Sequence, residues 1–161
     1  MKDGERSQGI DHPLAAKLIR LFSRANVWIY RATSGKVGGK LRMGAGFPWG
    51  LPLMLLTTTG RKSGASRTAP LLYIEEGERV VCVASQGGTD KNPLWYLNLV
   101  ANPECEVQIG ARSRKMRART ATPEERAALW PRLVAHYADY ASYQARTERV
   151  IPVVLLDPIE T

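Results

Sequence analysis

Two groups of residues in this chain are of types, and at spacings, that could do chemistry. Arg61, Lys62 and Arg67 fall within seven positions, with Ser63 and Ser66 among them, Gly60 and Gly64 flanking, and no acid nearby. Guanidinium forks and an ammonium beside hydroxyls and free backbone N–H groups suit phosphates and carboxylates. A basic, solvated turn has the same composition, and GRKSG lacks the GxxxxGK[ST] spacing that wraps a nucleotide phosphate. Residues 61–67 therefore read as an anion site without a named partner. Tyr137, Tyr140 and Tyr143 form the second group, spaced i, i+3, i+6, so a helix sets them along one drifting face. Packed rings with hydroxyls at the surface would account for that spacing without any chemistry.

The usual acid–base apparatus is missing. His12 and His136 are the two histidines, and no HExxH, GxSxG or paired carboxylate occurs, which argues against a metal cluster or a catalytic triad. If the chain is an enzyme, a cofactor carries the difficult step and the protein binds and orients. ASQGG (84–88) leads from a strand into the loop before a helix that starts at Asn92–Pro93. Its glycines leave the backbone approachable and the helix N-terminus attracts anions, although ordinary strand–helix connections look alike. Pro93, Leu94 and Trp95 could wall a flat ring, and a tryptophan on a helix more often fills core.

The elements that must position these groups are short. LLTTTGRKSGASRTAPLLYI (55–74) reads as a hairpin, with strands at about 51–59 and 67–76. Further strands are expected at 79–85, 104–110, 113–120 and 150–156. A short helix is expected from Asn92 to Asn102. Thr122–Pro123–Glu124–Glu125 is a capping box that opens a helix to about His136, followed by another at 138–146. Asp11 can cap a basic amphipathic helix through about Tyr30, with Leu14, Leu18, Leu21, Phe22, Ala25 and Ile29 on one face. Residues 1–10 read as a disordered tail and 34–50 as a mobile, glycine-rich loop. Short strands, tight turns and inserted helices predict one domain over 11–161, mainly β with helices (α+β), built on a closed antiparallel barrel.

With 161 residues the chain can bury its own core, and no apolar run reaches membrane-spanning length. The first residues lack the apolar stretch of a signal peptide, so a cytoplasmic chain is expected. Cys82 and Cys105 sit in apolar strand patterns and read as reduced core thiols. The net charge of +8 is uneven: twelve Lys/Arg face three Asp/Glu through Arg67, and eleven face twelve after it. An acidic partner is implied: nucleic acid, anionic membrane or a polyanionic cofactor. The basic helix over residues 11–31 could lie on an anionic membrane or pack on the barrel, and packing is the commoner outcome. Arg112, Arg114, Lys115, Arg117 and Arg119 read as a solvated face that discourages edge pairing.

TTTGRKSG, PLLYI, ASQGG, NPLWYLNLVANP and TPEERAALWPRLVAHYADYASYQ follow one another as they do in the deazaflavin-dependent nitroreductase family, which the chain resembles from about Leu53 to Pro158 and more weakly in its N-terminal helix. The resemblance implies a split β-barrel, FMN-binding-like fold and use of coenzyme F420, whose phosphate and glutamate tail would fit the basic field. It implies that Arg61, Lys62, Ser63, and Arg67, Thr68, Ala69, Pro70, Leu71 and Leu72 contact the phosphate and tail side. Val83, Ala84, Ser85 and Gln86, with Leu94, Trp95, Tyr96, Leu97 and Asn98, would border the ring and linker. Tyr137, Tyr140 and Tyr143 would roof the ring, with Tyr140 bonding a substrate oxygen. Family members often have lysine where this chain has Gln86, and some have tyrosine where Leu72 stands. These departures touch substrate choice more than cofactor use.

The function this implies is hydride transfer from reduced deazaflavin to an organic acceptor such as a quinone, an enone or a nitro compound. An FMN reductase on the same barrel is the rival enzyme. A nucleic-acid module is opposed by the lack of any RNP, KH or helix-turn-helix signature. A cofactor-binding protein without catalysis would have the same residues.

Overall fold

Along LPLMLLTTT every second side chain meets a different partner, because strand residues alternate between faces. In the computed structural model, which describes residues 13–41 and 50–160, Met54 and Leu56 point into a barrel core while Leu53 and Leu55 pack outward beneath a helix. The expected tail 1–10, the Asp11 cap, His12 and residues 42–49 lie outside the described residues, as do the side chains of residues 13–20, 22 and 23.

The chain runs α1 (Pro13–Thr33), β1 (Lys40–Leu41), β2 (Leu51–Thr59), β3 (Ser66–Leu72), β4 (Ile74–Glu76), β5 (Arg79–Val83), α2 (Leu94–Ala101), β6 (Glu104–Ile109), β7 (Arg112–Thr120), α3 (Pro123–His136), α4 (Asp139–Ala145) and β8 (Val153–Pro158). All pairings are antiparallel, in the order β1-β2-β6-β7-β8-β5-β4, with β3 on the other side of β2. The sheet closes through Tyr73: Leu72 still pairs with Leu53 of β2, and Ile74 already pairs with Val81 of β5. The strand expected over 67–76 is therefore two strands serving opposite ends of one sheet.

Inside the barrel, Met54, Leu56, Val80, Cys82, Val107 and Met116 meet Leu99 of α2. Outside, Val81, Val83, Val153 and Leu155 pack under Leu129 and Leu133 of α3, Tyr137 at its C-cap and Tyr140 of α4. Strands buried on both faces need apolar residues at consecutive positions, which is why RVVCVA and VVLL do not alternate. Burial pushes the Cys82 and Cys105 thiols up, so both stay protonated.

Several boundaries differ from the sequence-based expectation for local reasons. β8 begins at Val153 because Pro152 has no N–H and the Ile151 N–H donates to Gln144 Oε1 (2.9 Å). Within the expected loop 34–50, Lys40–Leu41 pairs with Leu51–Pro52, and the Leu53 N–H donates to Gly39 O (2.7 Å). α1 is locked by Tyr30, whose hydroxyl donates to Leu53 O (2.9 Å) and accepts from the Gly110 N–H (3.0 Å). The capping box forms as read: Thr122 and Glu125 each bond the other's backbone N–H.

Candidate functional site

The closure through Tyr73 is incomplete, and the gap it leaves is the candidate site. Pairing between the β3–β4 ribbon and β5 stops at Ile74–Val81. Beyond that point β3 stays with β2 and β5 stays with β8, so the edges of Arg67–Leu72 and of Val83 face each other without a shared ladder. The result is a slit in the barrel wall, an unpaired seam that begins at Tyr73 and runs toward the 61–67 loop along β3 and toward Gln86 along β5. Unpaired strand edges carry free N–H and C=O groups that can bond a polar ring edge.

The strand alternation decides what each side of the slit offers. Leu71 and Ala84 belong to the inner core cluster with Trp95 and Tyr96, and Ala69 shares the inward face of β3 with Leu71. Leu72 and Val83 belong to the outer cluster with Tyr137, Tyr140 and Tyr143. A flat group passing through the wall would therefore touch inner and outer sets at once. Pro70 and Thr68 also face outward, and the Thr68 hydroxyl is occupied by Thr57 Oγ1 (2.8 Å) and Arg31 Nη2 (3.1 Å). Thr68 thus has only its backbone free for the slit.

At the mouth, Gly60 and Gly64 make the loop tight: the Gly60 N–H donates to Ala65 O (2.7 Å) and the Gly64 N–H to Gly60 O (2.8 Å). Gly64 takes φ +69°, which favours glycine. Arg61, Lys62, Ser63 and Arg67 are all exposed, and among the described residues none of these three cations is in an ion pair. Asn98, 6% exposed, ties α2 to this loop. It accepts from the Arg61 N–H and donates to Thr58 Oγ1, both at 3.1 Å. Its amide is spent on the protein itself. Tyr96 is similarly engaged, with Thr120 Oγ1 across the barrel end (2.8 Å), beside a cleft of about 220 Å³ between α2 and β7. Leu94 is exposed and Leu97 half-buried.

On the opposite edge, Gln86, Gly87 and Gly88 all have positive φ (44°, 64° and 78°), turning the chain sharply after Ser85. Gln86 does so as a non-glycine residue, so its neighbours must hold it there. A Cβ on Gly88 would lie 2.5 Å from Tyr143 O, so glycine lets the turn rest directly on α4. Arg149, which no sequence motif singled out, bonds four acceptors of this loop, among them Ser85 O and Thr89 O (both 2.8 Å).

The three tyrosines differ. Tyr137 and Tyr143 bond each other, Oη to Oη at 3.2 Å. Tyr140 is 5% exposed, with its ring edge-on to Tyr137 (5.1 Å between centroids). Its hydroxyl has no hydrogen-bond partner among the described residues, yet it is not sealed in: the one sealed, unpartnered side-chain polar atom among them is His136 Nε2. Burial is the main reason Tyr137 and Tyr140 are pushed above the ordinary tyrosine range, so both hydroxyls stay neutral. Tyr140 is therefore a neutral hydrogen-bond donor in the same outer cluster as Leu72 and Val83.

A sequence model of the F420H(2)-dependent quinone reductase family matches residues 22–158. The Mycobacterium tuberculosis F420H(2)-dependent quinone reductase Rv1261c is 36% identical over 153 residues, covering 93% of this chain and 96% of that protein. A second M. tuberculosis protein named after the same activity, Rv3178, is 50% identical over 118 residues, 73% of this chain and 99% of its own length. Among solved structures, an F420-H2 dependent reductase (FDR-A) is 44% identical with a TM-score of 0.62, over 66% of this chain and 94% of that one. Another, described as a domain-swapped dimer, is 34% identical with a TM-score of 0.63, over 88% and 98%.

Proposed function

The chain belongs to the F420H(2)-dependent quinone reductase family, and on that premise we propose that the slit between β3 and β5 holds reduced coenzyme F420 for hydride transfer to a quinone. The residues present suit that coenzyme. Apolar groups line the depth of the slit, strand edges without a shared ladder flank it, and three cations in no ion pair among the described residues stand at its mouth for a phosphate and carboxylate tail. Bound there, the coenzyme supplies a hydride and is itself oxidised.

The protein's part is placement. Val83–Gln86 would border the ring, Trp95 would back it, and Arg61, Lys62, Ser63 and Arg67–Leu72 would hold the phosphate and tail side. Asn98 and Tyr96 frame α2. Orientation of this kind can supply several kcal/mol, by analogy with effective molarities of about 10⁵ M and above. An acceptor oxygen gains negative charge as hydride arrives. The Tyr140 hydroxyl, kept neutral by burial and unbonded among the described residues, would donate a hydrogen bond to it. A proton from solvent completes the reduction. Tyr137 and Tyr143 keep Tyr140 in place through ring contacts. Tyr140, in one apolar cluster with Leu72 and Val83 of the slit edges and with its hydroxyl unbonded among the described residues, is the single observation that carries this reading.

Enones and nitro compounds, which also accumulate charge on oxygen, belong to the same acceptor class. We place the chain in the cytoplasm, resting peripherally on anionic lipid. No helix of the described residues is long and apolar enough to cross a membrane. Trp28 (71% exposed), Leu21 and Arg24 share the outward face of α1, while Val27 and Tyr30 face the barrel. That arrangement would bring a lipophilic quinone to the enzyme.

The test is anaerobic oxidation of reduced F420 with a panel of quinones, beside spectral titrations with F420 and FMN. Saturable binding of F420 and turnover with at least one quinone are expected. Binding of FMN alone, or no oxidation by any acceptor, would overturn the assignment.

A further inference from the structure

Arg149 sits between α4 and β8, away from every sequence motif, and the whole β5–α2 loop is wrapped around its guanidinium. Nε donates to Thr89 O (2.8 Å), Nη2 to Ser85 O (2.8 Å), and Nη1 to Asn92 Oδ1 (2.8 Å) and Ala84 O (3.3 Å). The planar fork reaches four acceptors that a lysine, with one ammonium, could not satisfy together. The loop is pinned again where Thr147 Oγ1 donates to Asp90 Oδ1 (3.0 Å). The Arg149 backbone is fixed in turn to α4, since Gln144 Nε2 donates to Arg149 O (2.8 Å).

Two of the four acceptors are the carbonyls of Ala84 and Ser85, in the segment that borders the slit; the Ala84 N–H donates to Pro152 O (2.9 Å), so Arg149 grips this segment from the β8 side. The two residues immediately precede the left-handed turn at Gln86–Gly88. The same turn rests on the Tyr143 backbone through Gly88. One guanidinium therefore joins the edge that would face the ring to the helix carrying Tyr140 and Tyr143.

We propose that Arg149 is a positioning residue that sets the distance and tilt between the Ala84–Gln86 edge and the α4 tyrosines, and so aligns coenzyme with acceptor. This rests on the reading that the ring lies against Val83–Gln86. Arg149 touches neither partner of the reaction and acts through the loop it holds. An unsupported Gln86 would leave its left-handed conformation, and the edge would move with it.

The experiment compares wild type with Arg149→Ala and Arg149→Lys, in three measurements. Amide hydrogen exchange on the cofactor-free proteins reads the loop itself. Exchange at residues 84–92 should rise at least tenfold in Arg149→Ala, with residues 60–67 unchanged. F420 titration and single-turnover quinone reduction then read the site. The single-turnover rate should fall at least tenfold, with a smaller loss of affinity. Millimolar methylguanidinium should restore part of the rate to Arg149→Ala, and lysine should restore little. If exchange at 84–92 stays as in wild type, the proposal falls. It falls equally if exchange rises throughout the chain and methylguanidinium restores nothing, since Arg149 would then be a general scaffold residue. A wild type that binds no F420 would sink the reading of the slit instead, while the exchange measurement still decides what Arg149 holds.

Discussion

Asn98 on α2 and Arg61 at the turn of the β2–β3 hairpin are joined by one hydrogen bond, from the Arg61 N–H to Asn98 Oδ1 (3.1 Å). The other end of the same amide donates to the buried Thr58 hydroxyl (3.1 Å). The basic mouth of the slit is thus held against its inner wall by a single buried side chain. Asn98→Ala would strand the buried Thr58 hydroxyl and free the loop, at a cost of about 1–3 kcal/mol. The urea midpoint should drop and coenzyme affinity should fall with it. If affinity stays at the wild-type level in the destabilised variant, the loop does not need this tether.

Arg61 and Lys62 are exposed and in no ion pair among the described residues, so they are free to meet an anionic tail. Charge-assisted bonds contribute roughly 1.5–3 kcal/mol each when well formed. The Arg61→Ala, Lys62→Ala double variant should bind F420 more weakly, and wild-type affinity should fall with added salt. An unchanged dissociation constant in the double variant removes the tail from this loop.

Tyr140→Phe removes the one unbonded hydroxyl of the three and leaves the ring packing in place. Single-turnover oxidation of pre-bound reduced coenzyme by a quinone should slow about tenfold or more, equivalent to about 1.4 kcal/mol. Coenzyme affinity should change much less. Tyr137→Phe breaks the bond to Tyr143 (3.2 Å) and should disturb the rate less than Tyr140→Phe. Equal rates in wild type and Tyr140→Phe would make Tyr140 a packing residue.

The outward face of α1 predicts lipid contact. Trp28→Ala should reduce association with anionic liposomes and slow turnover of a long-tailed quinone, with a short, water-soluble quinone unaffected. Equal association with neutral and anionic vesicles would count against the arrangement.

Stability should fall in acid through Glu125. Its carboxyl is held down to about 2 from an ordinary 4.5, first by the hydrogen bond from Arg119 and then by the Thr122 N–H. The folded value lies below the unfolded one, so this contribution is complete above about 4.5 and is lost as pH falls through about 2. Urea midpoints across that window should decline less steeply in Glu125→Gln. The group is partly exposed, so high salt should shrink the difference.

The sequence by itself determined the features that depend on neighbours along the chain. The Thr122–Glu125 capping box and the hairpin around GRKSG are read from adjacent residues, because their hydrogen bonds close within a few positions. The candidate site residues were named through the motifs TTTGRKSG, PLLYI, ASQGG, NPLWYLNLVANP and TPEERAALWPRLVAHYADYASYQ, whose order is visible without any fold. Tertiary structure alone decided how they meet. Tyr73 hands the chain from β2 to β5, and no local signal marks the change of partner, because register depends on strands distant in sequence. That single transfer opens the slit, and alternation then sends Leu71 inward and Leu72 outward. The resemblance named Asn98 as bordering the ring and linker without showing its tie to Arg61, and Arg149 escaped assignment altogether, for the same reason. An amide on a helix and an arginine before a strand have no distinguishing pattern until the fold brings Arg61 N–H to one and four loop acceptors to the other.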